Sequence, residues 1–152
     1  MSVGSTAMCT SFKSELMTAT HNFTTTTGNT FKIALFRATA SIVGTYGAAT
    51  TNYSNMTSNS DEASGTGYSA GGNTLTVSVT PTNTGNVAYV SFANTSWTNA
   101  TITANGALIY NSSNSNKSVC VLNFGGTKTV TSGTFTIQFP TAGTGSSIIQ
   151  IA

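Results

Sequence analysis

Few side chains in this sequence can do acid–base, nucleophilic or metal chemistry: His21, Cys9, Cys120, Glu15, Asp61 and Glu62. A metal centre needs several such ligands at workable spacing, and neither a C-x-x-C nor an H-x-x-x-H pattern occurs. Glycoside hydrolysis needs two carboxyl groups flanking one bond. Asp61 and Glu62 are adjacent in a polar stretch and Glu15 is remote, so only a folded-back pairing of Glu15 with one of them would serve. His21 has no serine partner by spacing, and no Gly-x-Ser-x-Gly nucleophile elbow is expected to serve it. It reads instead as a structural histidine near the C-terminal end of a helix, where a cation meets the dipole favourably. Cys9 and Cys120 read as buried thiols, since one pair in a chain this long is no disulfide framework.

Two further patterns have a chemical and a structural reading. Gly65-Thr-Gly67 and Gly71-Gly72 have the look of a phosphate loop, but neither opens onto a helix nor has a nearby P-loop lysine, so they read as turns. Tyr46, Tyr53, Tyr68, Tyr89 and Tyr110 could stack sugars from an exposed face, although tyrosine is an ordinary strand residue. The reading therefore assigns no catalytic, cofactor-binding or metal-binding residue, and no enzyme activity.

The elements that must hold these residues are strands. At 152 residues the chain suits one domain, and only 5% of it is charged. Its polar surface is built from Thr, Ser and Asn, which favour strands and turns over solvent-facing helices. Lys13, Lys32, Arg37, Lys117 and Lys128 are scattered against three acids for a net charge of +2, so no cationic cluster addresses nucleic acid. No apolar run reaches membrane-spanning length, and the first residues lack the basic head and apolar stretch of a secretory signal. The Asn-x-Ser/Thr triplets, among them those at Asn22 and Asn94, then carry no glycan message.

Phe12, Leu16, Ala19 and Phe23 at i, i+4, i+7 and i+11 predict one amphipathic helix over about 11–23, capped by Thr10 or Ser11, with Glu15 early against the macrodipole. Residues 1–10 read as an arm that orders on docking, and 11–152 as one domain. Period-2 alternation predicts strands over Phe31–Phe36, Leu75–Thr80, Ala88–Phe92 and Thr134–Phe139, with Pro81 and Pro140 as stops. Ile42, Val43 and Tyr46 mark a shorter element, and residues 147–151 a last strand. A loop over about 47–72 should meet a partner or pack on the sandwich. Trp97–Tyr110 reads as the core spine, bent at Gly106 and paired antiparallel with Val119–Phe124 across a polar loop, before Gly125-Gly126 turns the chain again. The fold class is all-β: an antiparallel β-sandwich or jelly roll with one N-terminal helix.

Four segments carry a resemblance: Ser11-Phe-Lys-Ser-Glu-Leu16, Asn29-Thr-Phe-Lys-Ile-Ala-Leu35, Gly65-Thr-Gly-Tyr-Ser-Ala-Gly-Gly-Asn-Thr-Leu75, and Trp97 through Gly106-Ala-Leu-Ile-Tyr110. With them the chain, from about Phe12 onward, resembles a group of small tailed-bacteriophage virion proteins. The resemblance implies a β-sandwich subunit of the virion, assembled in the host cytoplasm. It leaves capsid decoration and tail attachment both open. A compact single domain without repeat, heptad or separate anchoring segment favours a capsid decoration (cement) protein. By the resemblance, such a protein has the major capsid protein as partner and forms a homo-oligomer, often a trimer. The alternative is a tail-associated receptor- or carbohydrate-binding module. That alternative expects an exposed tyrosine or Trp97 platform, whereas the cement reading expects Trp97 in the core, with Met1 to Thr10 and Gly47 to Gly72 used as contacting arms.

Overall fold

Alternating apolar residues become strands throughout the chain, and a computed structural model describes all 152 residues. The strands are β1 (Ser2–Val3), β2 (Ala7–Met8), β3 (Phe31–Phe36), β4 (Thr45–Tyr46), β5 (Asn73–Leu75), β6 (Val77–Thr84), β7 (Val87–Phe92), β8 (Thr95–Asn111), β9 (Lys117–Ile137) and β10 (Ile149–Ile151). Helices α1 (Thr10–Met17) and α2 (Ser54–Ser58) and a short 3-10 turn over Thr39–Ser41 complete the chain. A five-stranded antiparallel sheet runs β2-β9-β8-β3-β5, a three-stranded one runs β10-β7-β6, and β1 pairs with β4 in parallel. The result is an all-β, sandwich-like fold with one short helix near its N-terminus.

The β8–β9 hairpin is the backbone of the molecule. Ala107, Leu108 and Ile109 face Leu122, Val121 and Cys120, as the sequence predicts. On its other side β8 pairs with β3, so Phe31, Ile33 and Leu35 are fully buried on a strand covered on both faces. Gly106 marks a break in register, and a Cβ there would stand 2.4 Å from the Leu122 carbonyl oxygen. Trp97 is buried against Tyr68 and Phe135, at ring separations of 5.8 and 6.1 Å. Its indole N–H has no acceptor, so apolar contact alone holds the ring.

Several expectations are corrected. Gly125-Gly126 does not turn the chain: both have positive φ in a bulge, and β9 runs on to Ile137. Pro81 does not end its strand, because β6 is a sheet edge whose pairing skips between Val79 and Thr82, leaving no ladder bond for the proline to break. The strand expected over Leu75–Thr80 divides at Thr76, with Leu75 opposite Phe31 in one sheet and Val77 opposite Phe92 in the other. Residues 1–10 are no free arm: β1 and β2 pair within the fold, and the Asn123 amide donates to the Val3 and Gly4 carbonyls. The stretch 47–72, by contrast, meets one of its two expected outcomes: it carries α2, bridges to Lys117 and Phe36, and packs on the sandwich.

The helix is shorter than its apolar stripe implies. It ends at Met17, and its N-cap is Cys9, with no side-chain cap from Thr10 or Ser11. Ala19 takes φ +55°, its N–H bonds to the Leu16 carbonyl and that of Thr20 to Glu15, closing the helix as a Schellman motif. Glu15 therefore lies in the last turn, and Phe23 reaches the core from beyond the helix. A left-handed alanine costs about 1 kcal/mol that glycine does not. Ala19→Gly is expected to raise unfolding stability by about that amount, read from the denaturant midpoint at unchanged m.

Candidate functional site

Each carboxylate is engaged by groups distant in sequence. Asp61, fully buried, accepts from the Val43 and Gly44 amides at 2.8 and 2.6 Å, from the Tyr46 hydroxyl at 2.6 Å and from Arg37 at 3.1 Å. Burial alone would raise its pKa, but the Tyr46 hydroxyl, the two amides and the Arg37 charge outweigh it and hold the carboxyl below its ordinary value. The same pair pushes the Tyr46 hydroxyl up to about 12, through burial first and then the bond to Asp61. Glu62 accepts from the Tyr53 and Tyr68 hydroxyls at 2.5 and 2.8 Å and from the Gly71 amide at 2.6 Å. The two acids thus pin opposite ends of the stretch that covers β3. Glu15 shares no hydrogen-bond partner with either, so the folded-back carboxylate pair does not form through a common network.

His21 lies beyond the helix rather than at its end, buried between Phe12 and Phe31 at ring separations of 4.8 and 6.5 Å. Its Nε2 lies 2.7 Å from Glu15 Oε2 and its Nδ1 lies 3.0 Å from the Asn111 side-chain nitrogen. The Asn111 oxygen accepts from the Ser113 amide and its nitrogen also donates to Asn29, so that nitrogen must be the donor toward His21. Nδ1 is then an acceptor, and His21 is the neutral tautomer with its proton on Nε2. Burial lowers its pKa below the usual histidine range, more than the Glu15 bond and charge raise it. Lys117 caps the other Glu15 oxygen at 2.7 Å across 102 residues of sequence.

Because its folded pKa lies below the unfolded value, His21 contributes stability that is present above about pH 6.5 and lost as pH falls through the folded pKa. Proton NMR of the imidazole should show a midpoint below 6.5 in the folded protein. A midpoint above it would assign a charged His21–Glu15 pair.

Cys9 and Cys120 are buried free thiols, and desolvation pushes the Cys9 thiol up to about 12. The glycines are turns. Gly72, at φ +67°, passes so close to β3 that a Cβ would lie 1.8 Å from the Ile33 carbonyl oxygen. A Gly-x-Ser-x-Gly pattern does occur, contrary to expectation, at Gly67-Tyr68-Ser69-Ala70-Gly71. Ser69 stands exposed on a surface turn rather than between strand and helix, and both His21 nitrogens are engaged elsewhere. The pattern has neither the strand-to-helix geometry nor the free base of a nucleophile elbow.

The concave surfaces differ in character: one is mostly apolar, a second mixed and a third polar. One groove of about 410 Å³ lies between the end of α1 and the three-stranded sheet, lined by Leu16, Phe23, Pro81, Tyr89, Val90 and Ile149, with His21 in its wall. Met17 stands exposed on α1 just before it, and Ile151, half-exposed, is part of its rim. A second, of about 480 Å³, runs along β9 beside Phe124, Val130, Phe135 and Ile137. Sequence patterning could not locate either one, because residues from four separate segments build the first and a bulged strand builds the second.

The fold and these groups define a mainly antiparallel all-β domain whose acids, histidine and most tyrosine hydroxyls are used internally. Comparison with family models, curated proteins and solved structures found no match to this chain. No helix is long and apolar enough to cross a membrane.

Proposed function

We propose that this chain is a structural protein of a tailed-phage virion, a capsid decoration protein that braces joints between major capsid subunits as a homo-oligomer. The observation that carries the choice against a carbohydrate-binding module is the inward placement of the aromatics. Trp97 is buried, and the hydroxyls of Tyr46, Tyr53, Tyr68 and Tyr110 are spent on Asp61, Glu62 and the Gly71 carbonyl. Tyr89 lines a groove whose other walls are mostly aliphatic, which gives sugar hydroxyls few partners.

Residues 1–10 and 47–72 pack on the sandwich, so they would dock as preformed surfaces rather than as free arms, with little ordering entropy lost. Each copy needs only modest interface energy, because many sites on one shell act together. Particles lacking the protein are expected to lose resistance to heat and chelators while still adsorbing to host cells. Retained resistance with lost adsorption would reverse the assignment.

A further inference from the structure

The geometry points to a symmetric dimer in which β9 of one copy pairs antiparallel with β9 of a second copy along residues 128–137. This dimer does not depend on the virion role, and it replaces the trimer implied by the resemblance.

Beyond the part of β9 covered by β2, its outer edge is bare. β2 pairs only at Val121 and Cys120, and no backbone hydrogen bond outside the β8 ladder involves residues 128–137. Such an edge is a template for another strand, and proteins usually block it with proline, several charges or a covering element. Here Lys128 is the one charge, no proline intervenes, and the second groove, of mixed threonine and apolar lining, runs alongside.

The segment also fits itself. Lys128-Thr-Val-Thr-Ser-Gly-Thr-Phe-Thr-Ile137 reads nearly the same in type from either end. A regular strand pairing with its own copy about a two-fold axis must place a residue opposite itself, because directly opposed side chains share a face. Centred on Ser132 or Gly133, that rule would set Val130 against Thr134 or Thr136. β9 carries one extra residue between Gly133 and Val130, where Ser132 takes φ +48°. The bulge shifts the alternation by one, so that Val130, Gly133, Phe135 and Ile137 share the inner face.

The axis can then pass between Ser132 and Gly133. Val130 meets the copy's Phe135, Thr129 meets its Thr136, and Thr131 meets its Thr134, each pair occurring twice. The two Lys128 side chains fall at opposite ends, separated by about 30 Å along the strands, beyond the Debye length of about 8 Å. Like charges therefore do not oppose pairing, and each groove is closed by the other copy's apolar face.

Light scattering after size-exclusion chromatography tests this with the full chain, at concentrations up to the millimolar range. The wild type should show the mass of two chains. Thr129→Lys with Thr136→Lys sets like charges opposite one another twice and should weaken association about tenfold or more, whereas Thr129→Lys with Thr136→Glu sets opposite charges and should keep the dimer. Both threonines are exposed, and Trp97 fluorescence checks that each variant is folded. A monomeric or trimeric wild type would overturn the proposal, as would equal masses for two folded charge variants.

Discussion

Replacing Asp61 with alanine is expected to destabilise the protein by about 3–5 kcal/mol, a large share of the roughly 5–15 kcal/mol available to a domain. The carboxylate joins Arg37, the Val43–Gly44 turn and Tyr46 to the stretch that covers β3. Its removal leaves the Val43 and Gly44 amides without their acceptor, at about 1–3 kcal/mol for each that stays dry, while the Tyr46 hydroxyl keeps the Asn55 carbonyl at 3.1 Å. Arg37 is about a third exposed and can turn to water, which keeps the loss from growing further. The sign of the pH effect follows from the lowered pKa. Stability from Asp61 is complete above its unfolded value of about 3.9 and is lost as pH falls through the lower folded value. Denaturant titrations across that acid window should therefore be shallower for Asp61→Ala than for the wild type. Equal slopes, or a loss below about 1 kcal/mol, would show that Asp61 does not clamp this stretch to β3.

The second large effect is steric. Gly72→Ala combines a left-handed backbone with a Cβ placed on the Ile33 carbonyl, so β5 must leave β3. The expected cost is about 3 kcal/mol or more, from strain and overpacking together. Gly85 is the control: its φ is +58°, yet a Cβ there meets nothing within 4 Å. Gly85→Ala should cost only about 1 kcal/mol. Limited proteolysis should open the Gly72 variant near β5 first, because the Gly71 bonds to Glu62 and Tyr110 loosen with it. Equal losses in the two variants would mean that backbone conformation, not the close approach to β3, sets the cost.

What the sequence made legible was local. Alternation located β3, β7 and the inner half of the hairpin, and the polar run at Asn111–Lys117 located its turn. The helix end was missed because alanine, rather than glycine, takes the left-handed position after it. The strand through Pro81 was missed because nothing in the sequence says that β6 is an edge. The polar sites were hidden for a different reason: Glu15 finds Lys117, and Asp61 finds Arg37 and Tyr46, only after the sheets form. Three acids in a chain otherwise poor in charge were nonetheless a usable signal, since burying one is tolerable only where donors converge on it.

Placement in the particle tests the central claim most directly. On the proposed reading, a three-dimensional reconstruction of purified phage particles should show density of the size and shape of this sandwich on the outer shell, over joints between major capsid subunits. Density confined to the tail, or a particle without the protein, would contradict it.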